Sequence, residues 1–145
     1  MKLNAQTPKF SLNKAFLKLR PKESQINHFK DNLKKLLSKI DEIEREENQK
    51  THVRDLLRDT YYKETNEINT KDSKDLVIHL GKTNKDKVGV IIEAKRPSNK
   101  AEMITAEKPN VKALHELVLY YLRERIDEKN IDVKFLVFSQ ISIDG

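Results

Sequence analysis

Apolar residues along this chain follow two periods, and the change from one to the other marks its organisation. From Ser24, the residues Ile26, Phe29, Leu33, Leu36, Leu37, Ile40 and Ile43 recur at three- and four-residue steps. One apolar stripe with Lys, Asn, Ser and Asp opposite it predicts a long amphipathic helix whose stripe is core. The acidic run DEIEREENQ (41–49) interrupts the stripe. Val53, Leu56, Leu57, Thr60 and Tyr61 then resume it as a second helix. Extended backwards, this second period puts Glu46 on the inward side, with Glu47 next to it. Residues 62–74 are rich in turn formers, and Glu67-Ile68-Asn69 fits a short first strand.

The period then shortens to two. Asp75–Leu80 and Val88–Lys95 are β-branched runs separated by a polar segment holding Gly81, Asn84 and Asp86, the pattern of a hairpin. Pro97 ends the second strand, because proline cannot continue a central ladder. A polar loop over 98–110 follows, with Lys100, Lys108 and Pro109, the kind of loop that could hold phosphates were it to lie beside a metal site. Asn110 caps a helix whose expected apolar face is Val111, Leu114, Leu117, Val118, Tyr121, Leu122 and Ile126. Ile131–Phe138 is a last strand, and strand, crossover helix, strand implies parallel pairing. The expected fold is therefore α/β, a mixed sheet flanked by helices, with a helical N-terminal part. Residues 1–23 lack a sustained period. Phe10, Leu12, Phe16, Leu17 and Leu19 are expected to pack as an arm against a single domain spanning 24–145, with DNA contact through its lysines as the alternative.

Alternation of faces along the second strand gives the candidate chemistry. Glu93 and Lys95 point one way, Ile92 and Ala94 the other. Antiparallel pairing brings Asp75, at the start of the first strand, opposite the end of the second. A surface strand can carry Glu and Lys on its wet face without further meaning. Here, however, the run before Glu93 is Val-Gly-Val-Ile-Ile, the signature of a buried strand, where charge is costly unless it has a task. Two carboxylates can hold Mg²⁺ through hard oxygen ligands, leaving its other positions to water and phosphate. The metal lowers the pKa of a bound water, and a lysine beside it activates that water or stabilises negative charge. Asp72 is a rival to Asp75 but sits in a turn context.

Composition narrows the classes. With 36% charged and 37% hydrophobic residues over 145 positions, the core must be small and the helices strongly amphipathic. The net charge of +6 suits a polyanionic partner. No cysteine is present, which fits a reducing, cytoplasmic setting and excludes cysteine-zinc sites. No apolar run is long enough for a membrane span. His28, His52, His79 and His115 are scattered without ligand spacing, which argues against a zinc hydrolase. His79 shares a strand face with Asp75 and reads as a structural histidine.

Asp75…Glu93-Ala94-Lys95 resembles the signature of the PD-(D/E)XK nuclease superfamily. The blocks LRDTYY (57–62), EINTKDSKDLVIHLG (67–81), VGVIIEAKRP (88–97) and ALHELVLYYLRERI (113–126) resemble the N-terminal endonuclease region of type IIG-like restriction-modification fusion enzymes. The opening NKAFLKLRPKESQINHFK is similar to their start, so the resemblance covers nearly the whole chain. It implies a restriction-endonuclease-like fold and Mg²⁺-dependent cleavage of double-stranded DNA, with Mn²⁺ as a substitute. Asp75 and Glu93, with the backbone carbonyl of Ala94, would hold the metal, and Lys95 would complete the catalytic set. Glu46 or Glu47 would be an accessory carboxylate, the alternative being a solvated acidic cluster. Glu116-Leu-Val-Leu-Tyr120 matches the spacing of a Gln-x-x-x-Tyr pattern in related nucleases, with Glu in place of Gln, leaving Tyr120 as a further accessory residue. The implied partners are DNA, methyltransferase and target-recognition domains or chains, and a second copy for double-strand cleavage. Without those domains the chain could cleave poorly. The rival reading is a non-catalytic or truncated DNA-binding or assembly module of the same fold.

Overall fold

The computed structural model describes residues 4, 6–40, 45–72, 74–95, 98–105 and 107–140. The expected hairpin is its centre. β2 (Lys74–His79) and β3 (Val88–Lys95) pair antiparallel, with Leu76 opposite Ile92 and Val77 opposite Ile91. Both strands are buried on nearly every residue, which is why they read as continuous apolar runs rather than as a half-wet alternation. β1 (Ile68–Lys71) adds antiparallel to β2, and β4 (Phe135–Gln140) adds parallel to β3. The four-stranded mixed sheet has the order β1-β2-β3-β4.

Helices cover both faces. α4 (Glu46–Leu57) lays Val53 and Leu57 on Ile68, Leu76, Ile78 and Ile92. On the other face α5 (Lys112–Ile126) lays Leu117 on Val77, Val88, Ile91 and Val133. α3 (Glu23–Leu37) does not lie on the sheet in the same way. Its inward residues meet α4 and the π-helical turn Arg58–Tyr62 that ends α4. There the His28 Nε2 lies 2.7 Å from the Asp59 carbonyl, and the Asn32 amide donates to the Thr60 hydroxyl at 3.2 Å.

Three expectations need correcting. The N-terminal residues form two short turns of helix, α1 (Pro8–Ser11) and α2 (Lys14–Leu17), and do not pack as an arm: Phe10, Leu12, Phe16, Leu17 and Leu19 are all exposed. Without a period, those side chains leave α1 and α2 in different directions and offer the core no stripe. α5 is also rotated from its expected face. Ala113, Leu117 and Glu124 point inward, while Val118, Leu122 and Ile126 are exposed. The cause is Glu124, almost fully buried, which accepts from Lys71 (3.0 Å), Lys74 (3.2 Å) and Asn130 (3.1 Å). Its burial alone would raise its pKa, but those hydrogen bonds outweigh that and hold the carboxyl below its usual range. Finally, β4 starts at Phe135 rather than at Ile131. Ile43, Arg96, Pro97 and the chain after Gln140 lie outside the described residues.

Candidate active site

The β2–β3 ladder stops at Leu76–Ile92, and one position further on Asp75 faces Glu93. There a side chain continues the ladder: the Ala94 N–H donates to Asp75 Oδ2 at 2.9 Å. This bond fixes the Asp75 carboxylate against the end of β3 and leaves Oδ1 turned to other partners. Glu93 and Lys95 lie two residues apart on β3, on one face, and their side chains join at 2.7 Å between Oε1 and Nζ. All three are more than nine-tenths buried, with exposures of 8% for Asp75, 3% for Glu93 and 8% for Lys95. The expected convergence of Asp75, Glu93 and Lys95 at one end of the sheet is present.

The first turn and a half of α4 reaches the same place. Lys50 extends to Asp75 Oδ1 at 2.5 Å and shares its ammonium with Glu47 at 2.7 Å. Glu46 lies 3.9 Å from the Lys95 nitrogen. From the other side Glu116 of α5 comes within 3.5 Å of Lys95, and Glu102, in a short 3₁₀ turn (Lys100–Glu102), within 3.7 Å. Six carboxylates thus surround two buried ammonium groups. Asp75 and Glu93 are the buried ones, while Glu46, Glu102 and Glu116 are partly and Glu47 largely exposed, and the excess of negative charge favours a cation.

Burial pushes the Glu93 carboxyl up to about 7; the hydrogen bond from Lys95 opposes this and the charge of Asp75 adds to it. Lys95 shows the converse balance: burial acts to lower its pKa, but the bond to Glu93 and the charges of Glu93, Glu46 and Glu116 hold it above its ordinary value. Lys50 is likewise held above its ordinary value, its bonds to Asp75 and Glu47 outweighing desolvation. The second oxygen of Glu93, Oε2, is buried and has no hydrogen-bond partner among the described residues. A buried acceptor left unpaired costs about 1–3 kcal/mol, more when charged, so it calls for an explanation.

A hard divalent cation fits this donor set. Glu93 Oε2 is an unused oxygen beside a second fixed carboxylate, Asp75, and Mg²⁺ is commonly held by one or two carboxylates with water and phosphate at its other positions. Among the described residues, no three Asp, Glu or His side chains cluster closely enough to form a cage by themselves.

Other sequence candidates fall elsewhere. Asp72 is an exposed turn residue with a positive φ of 55°, bonded to Lys74 at 3.2 Å; it lines the cavity beside Lys50 and Asp75 without joining the buried cluster. His79 is structural, its ring nitrogens engaged by the Asp86 carbonyl at 2.6 Å and Asn69 Oδ1 at 3.0 Å. Tyr120 packs against the apolar cluster under α5, whereas its helical neighbour Glu116 reaches Lys95. Two members of the cluster carried no expectation from sequence, Lys50 and Glu102. Lys50 had a usable signal, since Glu46, Lys50, Val53 and Leu57 follow at four-, three- and four-residue steps and share the inward side of α4.

Fold and site define a class: a mixed-sheet α/β domain carrying a buried carboxylate–lysine cluster at the end of its central hairpin. The chain belongs to the family described as domain of unknown function DUF7149, which matches it over residues 6–142. No curated protein and no solved structure matches the chain. Among the described residues, no helix is long and apolar enough to cross a membrane.

Proposed function

We propose that this chain is a Mg²⁺-dependent DNA endonuclease domain of the PD-(D/E)XK type, belonging to a restriction-modification system and working in the cytoplasm. The observation that carries the reading is Glu93 Oε2, a buried and unpaired oxygen beside Asp75, with Lys95 bonded to the other oxygen of the same carboxylate. Asp75 and Glu93 would hold the metal, with the Ala94 carbonyl as a further donor. The chemistry that Mg²⁺ would supply there is polarisation of the phosphodiester and a lowered pKa for the attacking water.

The chain's own residues do the rest. Lys95, held as a cation by the carboxylates around it, serves as an electrostatic stabiliser of the charge that builds on phosphate oxygens rather than as a base. Of the two roles open to it in the sequence, water activation and charge stabilisation, the second is the one its environment supports. The Ala94 N–H keeps Asp75 oriented, so that little reorganisation is needed when substrate arrives. Double-stranded DNA is the substrate, and methyltransferase and target-recognition domains or chains supply the specificity.

The test is nicking of supercoiled plasmid by the purified chain with Mg²⁺ or Mn²⁺, beside Asp75→Ala and Lys95→Ala. The reading requires cleavage that chelator stops and that both substitutions reduce by at least roughly a hundredfold, the scale of losing a main electrostatic contributor. Equal cleavage by all three proteins rejects the site. DNA binding that persists in chelator, without cleavage, marks a non-catalytic module of the same fold.

A further inference from the structure

Asp75 offers two oxygens, and both are taken. Oδ2 holds the Ala94 N–H, which fixes the carboxylate to the sheet. Oδ1 holds Lys50, whose side chain is almost as buried as that of Asp75 itself. A cation arriving at Asp75 from the open side therefore meets an ammonium already in place. Glu93 presents no such obstacle, since its Oε2 is unpaired among the described residues.

We infer that Lys50 is a cationic placeholder on Asp75, displaced when a divalent metal binds, and that it thereby sets the metal affinity of the site. The inference rests on the metal-binding reading above. Three features carry it. A buried carboxylate is costly without a counter-charge, and Lys50 supplies one within hydrogen-bond distance. The lysine has room to leave, because a cavity of about 280 Å³ lined by Glu47, Lys50, Thr70, Asp72, Lys74 and Asp75 opens beside the pair. It also has somewhere to go. Glu47, with a side chain 75% exposed, already shares the ammonium at 2.7 Å and can retain it after Asp75 is released. A compact charge on a flexible four-carbon stem makes such an exchange without moving the helix.

Calorimetric titration of Mn²⁺ into the full 145-residue chain tests this, using wild type, Lys50→Met, Asp75→Asn and Lys112→Met. Removing Lys50 should tighten Mn²⁺ binding by roughly tenfold or more, the size by which groups touching metal ligands tune affinity. Lys112→Met removes an equal charge from an exposed partner of Glu116 and should change affinity by no more than about twofold, since exposed charges are screened. Asp75→Asn should abolish binding with or without Lys50. Lys50→Gln serves in place of Lys50→Met should circular dichroism show that the latter is misfolded. Wild-type binding that depends on Asp75 but is unchanged or weakened in the Lys50 variants overturns the placeholder and leaves the metal site standing. Equal tightening by Lys50→Met and Lys112→Met also overturns it, reducing the effect to net charge. No Mn²⁺ binding by any of the proteins overturns both readings together.

Discussion

Raising the pH from about 5 to about 8 should weaken this domain in chelator, and Glu93 should be the cause. Its carboxyl is shifted from 4.5 up to about 7 by burial, with Lys95 opposing and Asp75 adding to the shift. Between those two values the folded chain holds a proton that the unfolded chain has released. The folded state then binds more protons, so the free energy of unfolding falls as pH rises through that window, and the loss is complete above about 7. At about 1.4 kcal/mol per pH unit, a shift of about 2.5 units amounts to about 3 kcal/mol at most. Glu93→Gln removes the titration while keeping an oxygen for Lys95. Urea unfolding across the window, with wild type and Glu93→Gln side by side, isolates this one group from every other that titrates. The wild type should lose up to about 3 kcal/mol relative to the variant between the two ends of the range. Parallel pH profiles for the two proteins would refute the reasoning, because they would mean that Glu93 ionises alike in the folded and unfolded chains.

Further outcomes follow from the same contacts. Asp72→Asn should leave Mn²⁺ binding and plasmid cleavage unaltered, since Asp72 is an exposed turn residue, whereas Asp75→Asn should abolish both. Leu117→Ala, in the centre of the cluster beneath α5, should cost about 2–5 kcal/mol in urea unfolding, while Leu122→Ala on the exposed side should stay within about 0.5 kcal/mol. Asn130→Ala removes amide bonds to the Val88 carbonyl (2.8 Å) and Glu124 (3.1 Å), and a side-chain acceptor for the Asp132 N–H (3.1 Å). Leaving Glu124 and Val88 short of a donor should destabilise by about 1–3 kcal/mol, read as a lower melting temperature. Lys50→Met should lower the melting temperature in chelator, because it leaves the buried Asp75 carboxylate without its counter-charge, and added Mn²⁺ should restore it, which a purely packing role for Lys50 would not produce.

What the sequence disclosed was whatever its local pattern fixes. Alternation on the Val88–Lys95 run puts Glu93 and Lys95 on one face whatever the rest of the chain does, and hairpin pairing brings Asp75 to them. The α3 stripe holds in part: Leu36 and, just past the end of α3, Ile40 are buried and Phe29 and Leu33 half-buried, whereas Ile26 and Leu37 at its edges are exposed. What local pattern left open was decided by contacts between distant residues. α5 carries apolar residues on more than one flank, so its period does not choose a face. The choice is made by Glu124 meeting Lys71 and Lys74 more than forty residues away. Lys50 and Glu102 look like solvated charges in sequence, because a long charged side chain on a helix or turn is normally wet. Only the approach of α4 and the 100–102 turn to the end of the sheet makes them part of a buried cluster.

The central claim is that Asp75 and Glu93 together hold a divalent ion, and anomalous diffraction from crystals of the chain grown with Mn²⁺ tests it most directly. The account predicts one strong anomalous peak within bonding distance, about 2.2 Å, of oxygens of both carboxylates, with Lys50 no longer on Asp75. A peak elsewhere, or none while Lys50 still bridges Asp75 and Glu47, would contradict it.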